Sequence, residues 1–366
     1  MKIHRIDQPL FLVILLLIGF GLLMVTSASV GVSQENFGEN YHYLKNQIFR
    51  GLLPGLILGF MAFIIPYRSW RKTAFFLFLI SIILLVLVFL PQIGIKHGGA
   101  KRWISLGPIN FQPSEILKLT LIIYLAAWIE AKGKERIKKF LGGAMPFAII
   151  LAIVGLLLYK EPDYGTLGII GLTAFFMFFL GGGRISHLLL FIAGSFLLFF
   201  ILINVSSHAA QRWQTFKHPE QDTKKSSYQI NQAWIALGSG GFFGRGLGQS
   251  IQKFRYLPEP ATDSIAAVIG EEFGFLGIFC LVLLFIFFAS RGLKVSQGAP
   301  DVFSRLLAGG ITSLIFIQAA INLAAMTGLI PLTGVTLPFF SLGGTSLAIV
   351  LISSGLLLNI SKESKK

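Results

Sequence analysis

Two carboxylates that could do chemistry, Glu259 and Asp263, lie where a long polar stretch ends and a long apolar run begins. Ionised side chains so close to a hydrocarbon core are costly, and chains that keep them there commonly use them for function. Such a carboxylate can accept a proton or attract a cation. The structural alternative is that Thr262 or Asp263 caps the first turn of the helix that follows.

A second pair of acids, Glu271 and Glu272, lies one or two helical turns further along an otherwise apolar segment. Because an ionised carboxylate in such a segment is costly, it normally faces a cavity or a cation. We therefore expect a cavity or a basic partner beside these two residues.

Basic residues gather between two apolar runs in the segment 96–104, which contains Lys101 and Arg102 among glycines. A helix is predicted to begin shortly after it, and Glu115 and Lys118 share one face of that helix because they are three residues apart. Two interpretations of Lys118 are equally open. It forms a neutralised structural pair with Glu115, or it joins Lys101 and Arg102 in clamping a phosphate group, for which arginine provides a bidentate fork and lysine a point charge.

The segment 160–165 is a short turn between two apolar runs and contains Glu161, Pro162 and Asp163. The proline forbids simple continuation of the preceding helix. A solvated turn accounts for these residues. Two other interpretations stay open, because charged side chains in a tight turn can hold a metal ion or order a neighbouring long loop.

The composition is that of a membrane protein, since 54% of the residues are hydrophobic and only 13% are charged. The single cysteine, Cys280, excludes a disulfide framework and a cysteine-rich metal site. The glycines of residues 238–248 have neither the spacing of a dinucleotide fingerprint nor the lysine of a phosphate-binding loop, so we predict no nucleotide. Membrane topology and anionic lipid explain the cytoplasmic part of the net charge of +15, which therefore requires no nucleic acid.

We predict an all-α, polytopic membrane protein of about ten transmembrane helices, formed by a single domain over residues 1–366. The prediction rests on apolar runs long enough to cross a hydrocarbon core of about 30 Å. The predicted spans are 10–27, 47–65, 73–90, 114–128, 144–158, 166–180, 187–205, 263–290, 306–327 and 340–360. A large extracytoplasmic loop, residues 206–262, connects the seventh and eighth helices.

Lysine and arginine in the connections predict the orientation of the chain. Alternate connections and the C-terminal segment are basic, at residues 68–72, 132–139, 291–294 and 362–366. Because cytoplasmic loops carry the excess of these residues, this set and both termini are predicted to be cytoplasmic. The loop 206–262 then lies outside, since long loops translocate largely regardless of their charge.

The arrangement of these residues resembles that of one family, the SEDS proteins (shape, elongation, division and sporulation), which are multi-pass polymerases of peptidoglycan glycan strands. The resemblance covers nearly the whole chain. It rests on these segments: Asp7-Gln8-Pro9-Leu10 with Ser27-Ala28-Ser29; Lys101-Arg102-Trp103-Ile104 through Gln112-Pro113-Ser114-Glu115 and Lys118; Glu161-Pro162-Asp163-Tyr164-Gly165-Thr166; and Asn322 with Gly328-Leu329-Ile330-Pro331, Gly334 and Leu337-Pro338-Phe339-Phe340-Ser341-Leu342-Gly343-Gly344-Thr345-Ser346.

The last of these segments is the most specific, because it fits the family signature at its full spacing. Residues 235–241, 250–253, 256–259 and 268–272 look more like the cell-division members and their sporulation relative than the elongation members, which are the close alternative. Two sites depart from the family pattern. Pro260-Ala261 replaces the usual Ala-His before Thr-Asp, so the expected histidine is missing there, and Leu342 replaces the usual tyrosine.

The resemblance implies the reaction and the residues that perform it. A growing glycan chain is transferred from its undecaprenyl pyrophosphate to the 4-hydroxyl of lipid II, with inversion at the sugar. Asp263 is the implied catalytic base, and Arg102, Lys118 and Lys101 supply positive charge to the departing pyrophosphate. The full set of predicted substrate- and pyrophosphate-binding residues is Lys101, Arg102, Glu115, Lys118, Lys253, Glu259, Ser341 and Thr345.

The resemblance also implies partners and a location. Besides lipid II and the glycan chain, we expect a cognate class B penicillin-binding transpeptidase and other membrane proteins of the division or elongation machinery, in the bacterial cytoplasmic membrane. The acidic positions make a divalent cation, Mg²⁺ or Mn²⁺, a candidate cofactor whose ligands are unassigned. Two other classes of function stay open: a lipid II flippase, which would also use intramembrane charges such as Lys118 and Glu115, and a non-catalytic scaffold of the division machinery.

Overall fold

The computed structural model describes residues 6–91, 93–97, 100–107, 109–219 and 226–364. Three predicted features extend outside these ranges. They are the basic segment 96–104 at residues 98–99, the long loop at residues 220–225, and the basic C-terminal segment at residues 365–366.

Thirteen α-helices follow one another within the described ranges. They are α1 (Gln8–Phe37), α2 (His42–Gln47), α3 (Leu53–Ile64), α4 (Tyr67–Leu87), α5 (Pro113–Ile137), α6 (Met145–Lys160), α7 (Tyr164–Leu180), α8 (Ile185–Val205), α9 (Ser207–Lys217), α10 (Ser226–Gly240), α11 (Ile265–Gly298), α12 (Val302–Met326) and α13 (Gly344–Ser361). Two π-helices, Ile48–Leu52 and Phe140–Ala144, lead directly into α3 and α6. The strands are β1 (Gly94–His97), β2 (Ala100–Leu106) and β3 (Ile109–Phe111).

A helix lies at each of the ten predicted spans. Among the described residues, eight helical spans are long and apolar enough to cross a membrane: α1, α2 with α3, α4, α6 with its π-helix, α8, α11, α12 and α13. The other two predicted spans are α7, which is apolar but shorter, and α5, which carries Glu115 and Lys118 in its apolar stretch. Most helices are longer than predicted, because their ends continue beyond the apolar run into polar residues.

The connections from α4 to α5 and from α8 to α11 contain structure that the sequence analysis did not predict. Strands β1 to β3 form an antiparallel sheet in the order β1-β2-β3, in which Lys101 pairs with Lys96. In the long loop, α9 is capped by Ser206, whose side chain accepts a hydrogen bond from the amide of Ala209. The polar helices α9 and α10 and the short strands were missed because a search for long apolar runs finds only the elements that cross the membrane.

Helices α12 and α13 form the centre of the bundle, and they are the most buried of the membrane spans. Helix α8 has no buried residue and lies at the periphery. The start of α1 and the end of α13 meet at one end of the bundle, where the amide of Asp7 donates to Ser361 Oγ at 3.2 Å and Arg291 forms an ion pair with the Asp7 carboxylate. The carboxylates of the long loop therefore lie at the other end of α11.

Helix α11 is broken at Gly274, and the break receives the glycine-rich part of the long loop. Gly274 has φ +66°, and a Cβ atom there would lie 2.4 Å from the amide nitrogen of Gly244. The loop backbone is hydrogen-bonded to the broken turn, with Arg245 N donating to Glu271 O at 3.0 Å and Leu276 N donating to Phe242 O at 3.1 Å. Only glycine allows this close approach, which fixes the loop beside the start of α11.

Candidate active site

Asp263 lies in the loop between α10 and α11, just before the membrane helix begins. The prediction that Thr262 or Asp263 caps this helix is wrong: α11 begins at Ile265, Ser264 occupies the cap position, and no side chain caps the helix. The reason is a tight turn, in which the amides of Thr262 and Ser264 both donate to Glu259 O at 3.2 Å. The side chains of Thr262 and Asp263 are engaged within the loop instead.

Two carboxylates share one hydroxyl group at this turn. Thr262 Oγ1 lies 2.8 Å from Glu259 Oε2 and 3.1 Å from Asp263 Oδ1, and Gln229 Nε2 donates to Asp263 Oδ2 at 3.4 Å. Burial raises the pKa of Asp263, the negative charge of Glu259 raises it further, and the hydrogen bonds oppose the rise. In the described part of the chain no basic side chain forms an ion pair with Asp263. The carboxylate is therefore a stronger base than an ordinary aspartate.

The backbone around Asp263 is held from α12 and from the segment that precedes α13. Asn322 Nδ2 donates to Asp263 O at 2.9 Å and to Val335 O at 2.7 Å. Ser341 Oγ donates to Thr262 O at 2.5 Å. These contacts join three distant parts of the chain, and they place the hydroxyl of Ser341, a predicted substrate-binding residue, on the backbone next to the catalytic candidate.

Arg212 of α9 approaches the same place from the long loop. Its Nη1 donates to Thr333 O at 3.1 Å. The next residue, Gly334, has φ +68°, and a Cβ atom built on it would lie 3.7 Å from Arg212 Nη2 and 3.9 Å from Asp263 Oδ2. The guanidinium and the carboxylate thus border the same small space, which is open because residue 334 has no side chain.

Arg102 of β2 fastens the turn between α6 and α7. Its Nε donates to Glu161 O at 3.1 Å, and its Nη2 donates to Pro162 O. Glu161 and Asp163 are only 1% and 6% exposed, so the interpretation of a solvated turn is wrong. Asp163 Oδ1 accepts from the amide of Thr166 at 3.2 Å and caps α7, which explains why this carboxylate is turned inward.

The same turn is connected to the long loop. The hydroxyl groups of Tyr164 and Ser206 are 2.7 Å apart, so the contact between turn and loop is made by a neutral residue and not by the charged side chains that were expected to order the loop. Burial raises the pKa of Glu161 to about 9, the charge of Asp163 adds to the rise, and Arg102 opposes it. Glu161 is therefore neutral at pH 7.

In the ranges that the structure describes, no group of three or more His, Cys, Asp or Glu side chains is placed to hold a metal ion.

Lys118 and Glu115 form a buried ion pair on α5. Lys118 Nζ lies 2.8 Å from Glu115 Oε1 and 2.7 Å from Gln318 Oε1 on α12, and the two charged side chains are 3% and 7% exposed. Gln318 Nε2 in turn donates to Thr336 O at 3.0 Å. This geometry is the neutralised structural pair, one of the two interpretations left open by the sequence, and it links α5 to the segment that carries Gly334.

Lys253 is the cation that Glu272 was expected to face. Its Nζ lies 2.8 Å from Glu272 Oε1 and 2.9 Å from Ser27 Oγ on α1, and both charged side chains are at most 2% exposed. The neighbouring Glu271 accepts from Ser250 Oγ at 2.5 Å and from the amides of Ile251 and Gln252. These contacts anchor the end of the long loop between α1 and α11.

The remaining predicted binding residues lie on the outer elements. Thr345 Oγ1, at the start of α13, accepts from the amide of Gln112 at 3.3 Å, and Lys101 is half-buried on β2. The structure thus brings Glu259, Asp263 and Ser341 together at one turn, and Arg102 of β2 binds the turn between α6 and α7. It places the Lys118 and Lys253 side chains in buried ion pairs. The substrate-binding roles of these residues stay predictions.

Three residues near Asp263 were missed from the sequence. Arg212 and Gln229 lie in a polar loop that offered no motif, and the side chain of Asn322 was noted only as part of the signature. Basic residues already lie close to these acids in the sequence, at Lys253 and Arg255, and no local pattern indicated that Arg212 approaches Asp263.

Known relatives match the chain over almost its full length. Residues 7–366 match the family described as "Cell cycle protein", which groups FtsW, RodA and SpoVE. The chain is 41% identical to the probable peptidoglycan glycosyltransferase FtsW of Trichlorobacter lovleyi, covering 100% of this chain and 95% of that one. It is 39% identical to stage V sporulation protein E of Bacillus subtilis, with 98% of each chain covered.

Two solved structures have the same fold. A chain of a peptidoglycan synthase complex superposes with a TM-score of 0.79 at 24% identity, covering 98% of both chains. The rod shape determining protein RodA of Thermus thermophilus superposes with a TM-score of 0.72 at 26% identity, covering 99% of this chain and 98% of that one. With this fold, these motifs and a match over residues 7–366, the chain belongs to the FtsW, RodA and SpoVE family of multi-pass membrane proteins, the SEDS family that its motifs indicated.

Proposed function

We propose that this chain is a peptidoglycan glycosyltransferase that polymerises glycan strands from lipid II during cell division. The observation that carries the proposal is the Asp263 carboxylate, which lies at one end of the membrane bundle with a raised pKa and without an ion-pair partner in the described residues. The names of the FtsW relatives favour division. The likeness to RodA supports lateral wall elongation as the second candidate role.

In the proposed reaction, Asp263 accepts the proton of the lipid II 4-hydroxyl as the oxygen attacks the first sugar carbon of the growing chain. The bond from that carbon to the pyrophosphate oxygen breaks, and its electron pair leaves with undecaprenyl pyrophosphate. Attack from the face opposite the leaving group inverts the sugar. A carboxylate of ordinary pKa is a weak base for an alcohol, so the raised pKa of Asp263 favours this role.

Positive charge near the turn stabilises the departing pyrophosphate. Arg102 fits this role best among the predicted residues, because its guanidinium is bound to carbonyl oxygens and keeps its net charge. Glu259 and Asp263 are the residues that would hold a divalent cation, Mg²⁺ or Mn²⁺. They present two carboxylates on one hydroxyl, and Mg²⁺ in proteins is commonly bound by one or two carboxylates together with substrate phosphates. Such a cation would supply further charge to the pyrophosphate.

We further propose that the chain lies in the bacterial cytoplasmic membrane with both termini in the cytoplasm. Support comes from Arg68 and Arg71 at the start of α4 and from Arg291 in the C-terminal part of α11, on the side of Asp7 and Glu363: Arg68 pairs with Glu363, and Arg291 pairs with Asp7. Asp263 then faces outward, where lipid II is polymerised. The expected partners are a class B penicillin-binding transpeptidase and other membrane proteins of the division machinery, in keeping with the similarity to a chain of a synthase complex.

The test is polymerisation of purified lipid II in detergent, with and without the cognate transpeptidase and with and without a chelator. We expect polymer from the wild type, a rate lower by about 10²- to 10⁴-fold for Asp263→Asn, and little change for Glu39→Gln. Glu39 is an exposed carboxylate of the α1–α2 loop and serves as the matched control. Detergent has no leaflets, so polymer excludes a protein that only flips lipid.

The possible results of this assay test the base, the cation and the polymerase activity separately. Normal polymerisation by Asp263→Asn would contradict the base assignment, and full activity in chelator would contradict the cation. No polymer from the wild type, even with the transpeptidase, would favour a flippase or a scaffold. Asp263→Asn should not lower the free energy of unfolding at neutral pH: a carboxylate whose pKa is raised by folding loses its stabilising contribution as the pH rises through that pKa.

A further inference from the structure

Two arginines, Arg102 and Arg212, are half-buried without a carboxylate partner among the described residues. Lys118, Lys253 and Arg291 each form an ion pair with a carboxylate. Arg102 and Arg212 instead donate to backbone carbonyl oxygens, and neither forms an ion pair with any residue that the structure describes. A carbonyl group satisfies a donor but leaves the charge uncompensated.

The two guanidinium groups act on each other. Burial lowers the pKa of Arg212, and the positive charge of Arg102 lowers it further, while Asp163 and Asp263 oppose the shift. Two like charges that repel across a partly buried space favour an anion between or beside them. Of the two carboxyl groups in the turn, Glu161 does not supply this charge, because its pKa is raised to about 9, whereas Asp163 supplies part of it.

Arg212 and Asp263 both approach Gly334, which carries no side chain. Gly334 leaves open the region bordered by Arg212 Nη2 and Asp263 Oδ2, where a Cβ atom would lie 3.7 Å and 3.9 Å from them. The Arg212 side chain is held in position because its Nη1 donates to Thr333 O. A planar guanidinium fixed at one nitrogen keeps its other N–H groups for a ligand, and its fork matches phosphate oxygens.

We propose that Arg212 binds the pyrophosphate group of the isoprenyl-linked glycan donor and stabilises its charge as it leaves. The inference rests on the proposed glycosyltransferase function and adds a binding residue to it. Asp263 and Arg212, which both border Gly334, then have different roles in the reaction. The carboxylate takes the proton of the attacking hydroxyl, and the guanidinium receives the negative charge of the leaving group.

The test compares Arg212→Gln and Arg212→Lys with Lys217→Gln. Lys217 is the matched control because it lies on the same helix, is exposed, and stacks on Trp213 at 5.2 Å. We expect Arg212→Gln to lower kcat/KM for lipid II polymerisation by about 10²- to 10³-fold, as for the loss of one donor to a developing charge. Arg212→Lys should recover part of this loss, because it keeps the charge without the fork.

A binding measurement separates this role from a purely structural one. Farnesyl pyrophosphate, a short isoprenyl pyrophosphate, should raise the thermal midpoint of the wild type and of Lys217→Gln in detergent, and farnesol should not. For Arg212→Gln we expect the half-saturating concentration of farnesyl pyrophosphate to rise at least about tenfold, which is a loss of one charge-assisted contact.

The outcomes distinguish the two proposals. An Arg212→Gln protein that polymerises normally, or that loses activity while binding farnesyl pyrophosphate like the wild type, would overturn the role of Arg212 and leave the polymerase intact. If the wild type makes no polymer, the glycosyltransferase proposal fails. The binding measurement then still decides whether Arg212 holds a pyrophosphate.

Discussion

The ion pair between Lys253 and Glu272 gives the sharpest prediction about stability, because it is fully buried and fixes the loop that leads to Asp263. Its atoms are 2.8 Å apart, and the side chains are 2% and 0% exposed. Replacing one partner, in Lys253→Met or Glu272→Gln, leaves the other charge buried without compensation. For such sites the free energy of unfolding falls by about 3–5 kcal/mol, which changes the unfolding equilibrium constant by a factor of about 10² to several 10³.

The double variant Lys253→Met with Glu272→Gln should behave differently. It removes both charges, and replacing a buried pair by neutral groups of similar size is often nearly neutral. We therefore expect the double variant to recover most of the loss, so that the effects of the two single substitutions are strongly non-additive. The polymerisation rate should follow the same order, since the single substitutions release the loop from α1 and α11.

The free energy of unfolding can be measured by titrating SDS into detergent micelles while following helicity. The control is Arg255→Met, which removes an ion pair of the same loop with Glu35 of α1, also at 2.8 Å but with side chains 77% and 44% exposed. An exposed pair contributes no more than about 1 kcal/mol. The reasoning is refuted if the buried single variants lose no more stability than this control, or if the double variant loses the sum of both.

Two further predictions concern the site itself. The acid limb of the pH–rate profile should lie above the ordinary aspartate value of 3.8, because the base must be ionised and its pKa is raised. Glu259→Gln removes a like charge and should therefore shift this limb to lower pH. An unchanged limb, or a shift to higher pH, would contradict the assignment of Asp263 as the base. Gly334→Ala should lower the polymerisation rate about tenfold or more by filling the space between Arg212 and Asp263 at φ +68°. Gly343→Ala, in the same segment at an extended φ of 171°, should retain activity, and equal effects of the two substitutions would count against a substrate space at Gly334.

The helical membrane architecture could be predicted because each crossing needs an apolar run, and each of the ten predicted runs falls on a helix. The ends of the helices could not be placed, since α1 continues to Phe37 and α5 to Ile137 through polar residues that no hydrocarbon boundary constrains. The start of α11 was misplaced because the residues at 262 and 263 are good capping types. In the fold their side chains bond to Glu259 and to each other, a choice that depends on the turn and not on propensity.

The candidate site was predictable only in the part that one segment of sequence contains. Glu259 and Asp263 are four residues apart, so their proximity was visible. Arg212 and Asn322 reach the same place from 51 and 59 residues away, through contacts with Thr333, Val335 and the Asp263 backbone. Such proximity follows from how the loop folds over the bundle, and no periodicity or local composition reports it.

The charged residues in and around the candidate site differ in whether they form ion pairs. This difference indicates which of the predicted residues stabilise the fold. Lys118 with Glu115, and Lys253 with Glu272, are compensated pairs that hold α5 and α11 to their neighbours. Asp263 and Arg212 are held by neutral groups, an amide and a carbonyl. A membrane protein that leaves a carboxylate and a guanidinium uncompensated beside one open space keeps both electrostatic groups available to a substrate. An intramembrane charge is therefore best assigned to chemistry only after its partner is known.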